Sequence, residues 1–329
     1  MTKIIAEIGV NHNGNVDTAI RLVKLAKLAG VDYVKFQIFN TELLVTNYAK
    51  KSKYQIKNKK DKTNQFKMLK NLELSKNDHK KIHKYCRKLK INYCASPFDL
   101  ESLKFLLSLK TKIIKIGSGE ITNKPLLENL KKYKGLVILS TGMSTINEVE
   151  RAVKILKKNK NKYHLLYCCS SYPTLNKDID MNIMILLKKK FKCGVGFSDH
   201  TLGNEAAIAS TILGSTYVEK HFTINKNSNG PDHAASFDFK DMKKLVVELK
   251  KYKSLLKSGK KIILNSEKEN RINSRKSLVA SRYIKKGEKF TKKNITTKRP
   301  GDGISPFDID KVLKLKAKKN FFYDEKIKI

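Results

Sequence analysis

Short apolar runs rich in β-branched residues recur along the chain, and stretches with helical periodicity separate them. The runs are KIIAEIGV (3–10), YVKFQI (33–38), INYCAS (91–96), KIIKIG (112–117), LVILST (136–141), HLLYCC (164–169), CGVGFS (193–198) and YVEKHF (217–222). Amphipathic stretches that fit helices lie between them, for example at 16–29, 78–88, 147–157 and 204–213. This alternation is typical of a parallel sheet with crossover helices. Eight such strands predict an α/β fold, a (β/α)8 TIM barrel.

Two departures from the regular alternation divide the chain further. Residues 39–74 are polar and lysine-rich, which indicates an insertion after the second strand and a candidate active-site loop. Residues 266–276 are also polar and are predicted to be a linker. We therefore predict a barrel domain at 1–265 and a small second domain at 277–329. A domain of about 50 residues is marginally stable alone, so we expect it to dock on another surface.

The charge of the chain admits two interpretations. Its 329 residues carry 70 Lys plus Arg against 30 Asp plus Glu, a formal net charge of +40. Such an excess is found in non-enzymatic proteins that bind nucleic acid or other polyanions. Only seven of the basic residues are arginine, however, and the lysines are scattered through most of the predicted helices. A nucleic-acid surface should favour clustered arginine, so we favour ordinary solvated helix faces and expect no nucleic-acid partner.

Cysteine usage and hydropathy indicate the cellular setting. The five cysteines show neither a CxxC pair nor zinc-site spacing, and they are most simply reduced core residues. No apolar stretch approaches the roughly 20 residues that cross a bilayer, and the N-terminus lacks a signal-peptide pattern. We expect a cytoplasmic protein without a membrane partner.

Polar and small residues concentrate where the predicted strands end, which is where catalytic groups of barrel enzymes lie. Lys35 lies on the second strand and Lys115 on the fourth. Two inward-facing lysines are costly to bury without an anion. With Ser118, Ser140 and the backbone amides of 117–119, they predict a pocket for a phosphate or a carboxylate. The alternative is that each lysine pairs with a neighbouring glutamate.

Two histidines, His200 and His221, end adjacent predicted strands, where their imidazoles could converge on one divalent ion. Two histidines without cysteine are few for zinc, so an octahedral ion completed by water or substrate oxygens fits better. The alternative is a pair of hydrogen-bonded polar histidines.

Ten short motifs, in order along nearly the whole chain, resemble the bacterial sialic acid synthase family of N-acetylneuraminate and legionaminic acid synthases. They are AEIGVNHNG (6–14), KFQ (35–37), SPFD (96–99), KIGSGEITN (115–123), STGM (140–143), YPT (172–174), GFSDHT (196–201), EKHFT (219–223), GPDH (230–233) and KRPGDGIS (298–305). The last lies in the second domain, which resembles the antifreeze-like (SAF) domain of that family. Each motif is weak alone, but ten at matching strand ends are specific.

The resemblance implies a biosynthetic transferase for sugar acids of cell-surface polysaccharides. Phosphoenolpyruvate would condense with N-acetylmannosamine and water to give N-acetylneuraminate and phosphate. The alternative product is N,N'-diacetyllegionaminate, made by the same mechanism from 2,4-diacetamido-2,4,6-trideoxy-mannose.

The resemblance also assigns roles to residues. Glu120, Lys115 and Tyr172 would be catalytic, with Glu120 managing protons. The substrates would be bound by Lys35, Gln37, Ser96, Ser118, Ser140, Ser170, Ser198, Asp232 and Arg299. His200 and His221 would bind Mn²⁺ or Mg²⁺. Arg299 lies in the second domain, and the family pattern implies that it reaches the partner's barrel in a domain-swapped homodimer.

Two positions depart from the family pattern. Some members carry a carboxylate at the place of Asn13, which has been considered a base; an amide cannot act as one. Where other members have Asn two residues before the tyrosine, this chain has Ser170, which shortens one polar contact to phosphoenolpyruvate.

Overall fold

Eight parallel strands close into a barrel in the part of the chain that the structure, a computed structural model, describes: residues 2–52, 55–56, 64–257 and 259–329. Their order around the barrel follows their order in the chain. The strands are β1 (Lys3–Gly9), β2 (Tyr33–Ile38), β3 (Asn92–Pro97), β4 (Ile113–Ile116), β5 (Leu136–Ser140), β6 (Lys162–Tyr167), β7 (Gly194–Asp199) and β8 (Tyr217–His221). The predicted TIM barrel is confirmed.

Helices connect the strands and surround the barrel. They are α1 (Val16–Ala29), α2 (Thr41–Leu44), α3 (Gln65–Lys70), α4 (Lys76–Lys88), α5 (Leu100–Ser108), α6 (Lys124–Glu128), α7 (Ile146–Lys158), α8 (Asn182–Phe191), α9 (Glu205–Ile212) and α10 (Phe239–Ser254). Reciprocal capping boxes fix where several begin, as with Ser75 and Asp78 at α4. None of the described helices is both long and apolar enough to cross a bilayer.

The predicted active-site loop at 39–74 is only partly described. It contains α2 and α3, and residues 53–54 and 57–63 lie outside the described residues. The Asn40 side chain caps α2 and the Asn64 side chain caps α3, so short polar residues start both helices.

The interior of the barrel changes from apolar to polar along each strand. A buried apolar cluster contains Ile5, Ile113 and Ile138, which lie towards the amino ends of β1, β4 and β5. Because side chains two residues apart share a face of a strand, the next inward positions are Glu7, Lys115 and Ser140. The apolar layer therefore closes the barrel below, and the polar layer faces the carboxyl-end rim, where barrel enzymes carry their sites.

The chain divides into two compact units, Met1–Leu256 and Lys257–Ile329. The second contains α11 (Lys268–Ser274), β9 (Ser277–Ala280), β10 (Ile295–Lys298) and α12 (Ile309–Val312). Strands β9 and β10 are antiparallel, and a separate apolar core includes Leu278, Phe290 and Phe321. Helix α11 lies within the segment predicted to be a linker, and the exact boundaries at 265 and 277 stay a prediction.

Candidate active site

A cavity of about 390 Å³ opens at the carboxyl ends of the barrel strands. Its described lining combines residues on, or directly after, all eight strands with residues of the insertion after β2. The predicted site residues that line it are Lys35, Gln37, Ser96, Lys115, Ser118, Glu120, Ser140, Ser170, Tyr172, Ser198, His200 and His221. The barrel thus brings together nearly the whole predicted site.

Two predicted site residues lie elsewhere. Asp232 is buried and does not line the cavity, although the positive charge of Lys35 acts on its carboxyl group. Burial is the larger influence, and it raises the pKa of Asp232 to about 6. Arg299 belongs to the second compact unit.

The two cavity lysines are held by two glutamates. Lys35 Nζ lies 2.5 Å from Glu7 Oε2 and 3.7 Å from Glu219 Oε1, and Lys115 Nζ lies 3.3 Å from the same Glu219 oxygen. All four side chains are almost entirely buried, yet all four line the cavity. The alternative of lysine–glutamate pairs is therefore realised, and the lysines also face the space where an anion would lie.

The glutamates differ in their electrostatic state. Burial raises the pKa of Glu7 to about 7, against the opposing charge of Lys35. Burial also acts on Glu219, but the charges of Lys115 and Lys35 outweigh it and lower the pKa of Glu219 to about 2. Glu7 therefore binds a proton more readily than Glu219 does.

Neither glutamate was singled out as a site residue from the sequence, although both stand in the quoted motifs. The signal was present in the strand period, because Glu7 and Glu219 occupy inward positions two residues after apolar ones. The register completes the cluster, since Glu7 lies opposite both Lys35 and His221 on its neighbouring strands. Pairing of strands distant in sequence decides this, and no local pattern contains it.

Glycine at position 9 leaves room for three side chains that line the cavity. A Cβ atom there would lie 3.1 Å from Glu7 Oε1, 3.5 Å from Gln37 Nε2 and 3.6 Å from His221 Cε1. The residue also has φ +54, a conformation that glycine adopts without strain.

Serine hydroxyls complete the polar lining. Ser198 Oγ donates to Glu219 Oε1 at 2.9 Å, and Ser118 Oγ accepts from the backbone N–H of Gly142 at 3.0 Å. Ser140 Oγ is buried without a hydrogen-bond partner in the described structure. A buried hydroxyl without a partner is costly, so its presence at the cavity indicates a bound group that supplies one.

His200, His221 and Tyr172 form an aromatic cluster at one side of the cavity. The ring centroids of the two histidines lie 5.7 Å apart, and the Tyr172 ring lies 4.3 Å from that of His200. Burial lowers the pKa of His200 to about 4 and that of His221 well below its ordinary value. Both imidazoles are therefore neutral at physiological pH, as metal binding requires.

The histidine pair fits a divalent ion in its donor atoms. His200 Nδ1 lies 2.7 Å from the carbonyl oxygen of Cys169, and its Nε2 has a longer contact of 3.4 Å with Ser198 Oγ, which a metal ion on Nε2 would replace. His221 Nδ1 is buried and has no hydrogen-bond partner in the described structure. Among the described residues, no group of three or more His, Cys, Asp or Glu is arranged to hold a metal. An ion on this pair would have to complete its coordination with oxygens of water or substrate.

Two further polar residues lie near the rim. Burial raises the pKa of Glu120, and Asn123 Nδ2 donates to its carboxylate at 2.6 Å. Asn13 donates from Nδ2 to the carbonyl oxygen of Asn229 at 2.8 Å. Its Oδ1 lies 3.3 Å from His233 Nε2, so the amide connects the loops after β1 and β8.

Two family models, individual relatives and solved structures match this chain. The model described as NeuB family matches residues 22–261, and the model described as SAF domain matches residues 275–328. The chain belongs to the NeuB family. The predicted resemblance is thereby confirmed, and the chain is an enzyme of the sialic acid synthase kind with a C-terminal SAF domain.

Relatives of this NeuB family member carry more specific names. The N,N'-diacetyllegionaminic acid synthase of Campylobacter jejuni is 42% identical, with 99% of each chain covered. That of Legionella pneumophila is 39% identical over 94% of this chain and 88% of its own. A crystal structure of N-acetylneuraminic acid (sialic acid) synthetase from Leptospira borgpetersenii, in complex with citrate, is 32% identical. It has a TM-score of 0.73 and covers 82% of this chain and 90% of its own.

Proposed function

We propose that this protein condenses phosphoenolpyruvate with 2,4-diacetamido-2,4,6-trideoxy-mannose and water, giving N,N'-diacetyllegionaminate and phosphate. The observation that carries the reaction type is the cavity itself, which joins two buried lysines, a partnerless serine hydroxyl and a neutral histidine pair. The names of the relatives at 42% and 39% identity support this sugar. The second candidate is N-acetylneuraminate synthesis from N-acetylmannosamine, which the 32% identical synthetase structure supports.

The lysine network would hold phosphoenolpyruvate. Lys35 and Lys115 offer charge-assisted hydrogen bonds to its phosphate or carboxylate, and Ser96, Ser118 and Ser140 offer hydroxyls. Each lysine already has a glutamate partner, yet both lysines line the cavity, where an anion can reach their ammonium groups.

The proposed chemistry forms one carbon–carbon bond. Carbon 3 of phosphoenolpyruvate attacks the sugar aldehyde, whose oxygen gains a proton, and positive charge develops at carbon 2. Water adds to carbon 2 and loses one proton. The new hydroxyl group then gives up its proton and becomes the carbon 2 carbonyl, while the bond from carbon 2 to the bridging oxygen breaks and phosphate leaves with that oxygen. Lys35 and Lys115 stabilise the phosphate in a largely buried cavity. Glu120, whose pKa burial raises, is placed to hold or release a proton at the rim.

We propose that His200 and His221 bind Mn²⁺ or Mg²⁺. Such an ion, when bound, supplies Lewis-acid polarisation of a carbonyl oxygen. Chelator-treated protein should lose activity and regain it with either ion, whereas His221→Ala should respond poorly to both. Full activity of the metal-free protein would remove this assignment.

Phosphate release across a panel of sugars tests the proposed function. Purified protein is mixed with phosphoenolpyruvate alone, with N-acetylmannosamine, or with 2,4-diacetamido-2,4,6-trideoxy-mannose, and the product is identified by mass. We expect release with the diacetamido sugar and none with phosphoenolpyruvate alone. Absence of release with every sugar, together with DNA affinity that falls steeply between low and physiological salt, would instead support a polyanion-binding protein.

We further propose that Arg299 acts on the partner's sugar in a domain-swapped homodimer. Arg299→Ala and Lys115→Ala homodimers should each be nearly inactive. Random mixing should restore roughly a quarter of wild-type activity, because half the dimers are mixed and half their sites are intact. Mixed dimers without recovered activity would contradict an action between subunits.

A further inference from the structure

One wall of the cavity is apolar, in contrast to its polar floor. Leu44, the last residue of α2, and Leu69, on α3, line the cavity from the insertion after β2. Phe98, directly after β3, lines it as well. Among the described residues of the insertion, the cavity is bordered only by uncharged side chains, although Lys50, Lys51, Lys67 and Lys70 are close in sequence.

This apolar wall, defined as Leu44, Leu69 and Phe98, has firm support from behind. The three side chains are half-buried and pack on a buried cluster of Val10, Phe39, Met68 and Leu72. The Phe39 and Phe98 rings meet edge to face, with centroids 6.4 Å apart. Each of the three wall side chains thus packs on the cluster and also borders the cavity.

The wall lies beside the reacting region. A Cβ atom on Gly117 would lie 3.7 Å from Phe98 Cε1, so the Phe98 ring borders the turn that carries Ser118 and Glu120. A sugar whose aldehyde carbon reacts at the polar floor can therefore extend its far end along this wall.

The two candidate sugars differ at that far end. A 6-deoxy sugar ends in a methyl group, whereas N-acetylmannosamine ends in a hydroxymethyl group. A methyl group gains free energy when it is buried against apolar side chains. A hydroxyl group packed against the same three apolar side chains loses hydrogen bonds to water, and those side chains offer none in return; Ser52 and Gln65 of the insertion also line the cavity.

We propose that Leu44, Leu69 and Phe98 bind the C6 methyl group of the substrate and thereby select a 6-deoxy sugar. This inference rests on the proposed function, because it assigns the sugar end of that same site. It locates the specificity in the insertion after β2, away from the lysine network that holds the shared substrate.

The test uses two sugars that differ only at carbon 6, 2-acetamido-2,6-dideoxy-mannose and N-acetylmannosamine. We expect the wild-type protein to prefer the deoxy sugar in kcat/KM by roughly 10- to 100-fold, the range for one group in an apolar pocket. Leu69→Asn should reduce this preference to within about threefold, since an amide can bond the hydroxyl group. The KM for phosphoenolpyruvate should stay unchanged.

Two matched controls isolate the wall. Leu43→Asn makes the same change at the residue before Leu44 in α2; Leu43 is 55% exposed and does not line the cavity. Leu69→Met keeps the wall apolar. Both should retain the preference. If Leu69→Asn does not fold by circular dichroism, Leu44→Asn replaces it.

The outcomes separate the two proposals. Phosphate release without a preference at carbon 6, or equal losses for both sugars in Leu69→Asn, would overturn this inference alone. No phosphate release with any sugar would overturn the proposed function and this inference with it.

Discussion

The buried lysines of the barrel have two different surroundings: Lys220 lies away from the cavity, whereas Lys35 and Lys115 line it. Lys220 on β8 is fully buried outside the cavity lining. Its Nζ donates to Asp199 Oδ2 at 2.8 Å, to the Thr201 carbonyl oxygen at 2.6 Å and to the Gly203 carbonyl oxygen at 3.0 Å. The ammonium also lies 4.3 Å from the centroid of the Phe237 ring. Each of its three protons therefore has an acceptor.

The cavity lysines are less completely satisfied. Lys115 Nζ donates to Glu219 Oε1 at 3.3 Å, and Lys35 Nζ lies 2.5 Å from Glu7 Oε2 and donates to Ser96 Oγ at 3.3 Å, so in the described structure each ammonium has fewer close acceptors than that of Lys220. A saturated buried network has nothing left to offer a ligand, whereas an unsaturated one gains from binding. Saturation thus distinguishes a structural ion pair from a binding site, and matched substitutions can test the distinction.

The largest effect on stability is expected for Lys220→Met. Methionine replaces the stem but leaves the fully buried Asp199 carboxylate without its cation. Breaking a buried pair in this way typically costs about 3 to 5 kcal/mol of unfolding free energy. Urea unfolding followed by circular dichroism measures the loss.

Asp199→Asn in the same protein provides the control for Lys220→Met. Removing the second charge should recover part of the stability, because no unpaired ion remains buried. A Lys220→Met protein as stable as the wild type would show that saturation does not mark a structural pair here.

For Lys115→Met we expect the opposite pattern. Glu219 keeps the Ser198 hydroxyl at 2.9 Å and Lys35 at 3.7 Å, so stability should fall less than in Lys220→Met. The apparent KM for phosphoenolpyruvate should rise by about 10- to 150-fold, the equivalent of one charged hydrogen bond of 1.5 to 3 kcal/mol. The KM for the sugar should change little. Unchanged dependence on phosphoenolpyruvate would place the anion pocket elsewhere.

The smallest expected effect concerns Asp232, a buried carboxyl group beside this network, and it depends on pH. Its folded pKa of about 6 lies above the ordinary value of 3.8, so its contribution to stability is complete below pH 3.8. That contribution is lost as the pH rises through 6. Asparagine does not ionise, so Asp232→Asn should gain about 1 to 3 kcal/mol relative to wild type between pH 4 and pH 7.

Urea unfolding at the two pH values measures this change. Val247→Ala on the outer helix α10, a change at an exposed side chain that does not ionise, provides a control whose difference from wild type should stay nearly constant. A constant difference for Asp232→Asn as well would mean that burial does not raise the pKa of this carboxyl group.

Strand periodicity was sufficient to predict the barrel and most of the cavity lining. The apolar runs alternate with helical stretches, and polar residues at their ends, such as Lys35, Lys115 and His221, must converge on one rim once eight parallel strands close. That convergence follows from topology, so local sequence contained it. The resemblance then supplied the reaction type, because ten ordered motifs are more specific than any single spacing.

What only the tertiary structure decided is which charges meet, and which side chains stay unsatisfied. Glu7, Lys35, Lys115 and Glu219 lie on four strands spread over more than 200 residues, and their contacts depend on barrel register and closure. The tertiary structure alone also shows that Asp232 does not line the cavity. It likewise shows the apolar wall, in which Leu44 and Leu69 of a lysine-rich insertion line the cavity together with Phe98. Sequence determines the chemistry that each strand end carries; desolvation and pairing, which exist only in the folded barrel, determine which of those groups are free to bind.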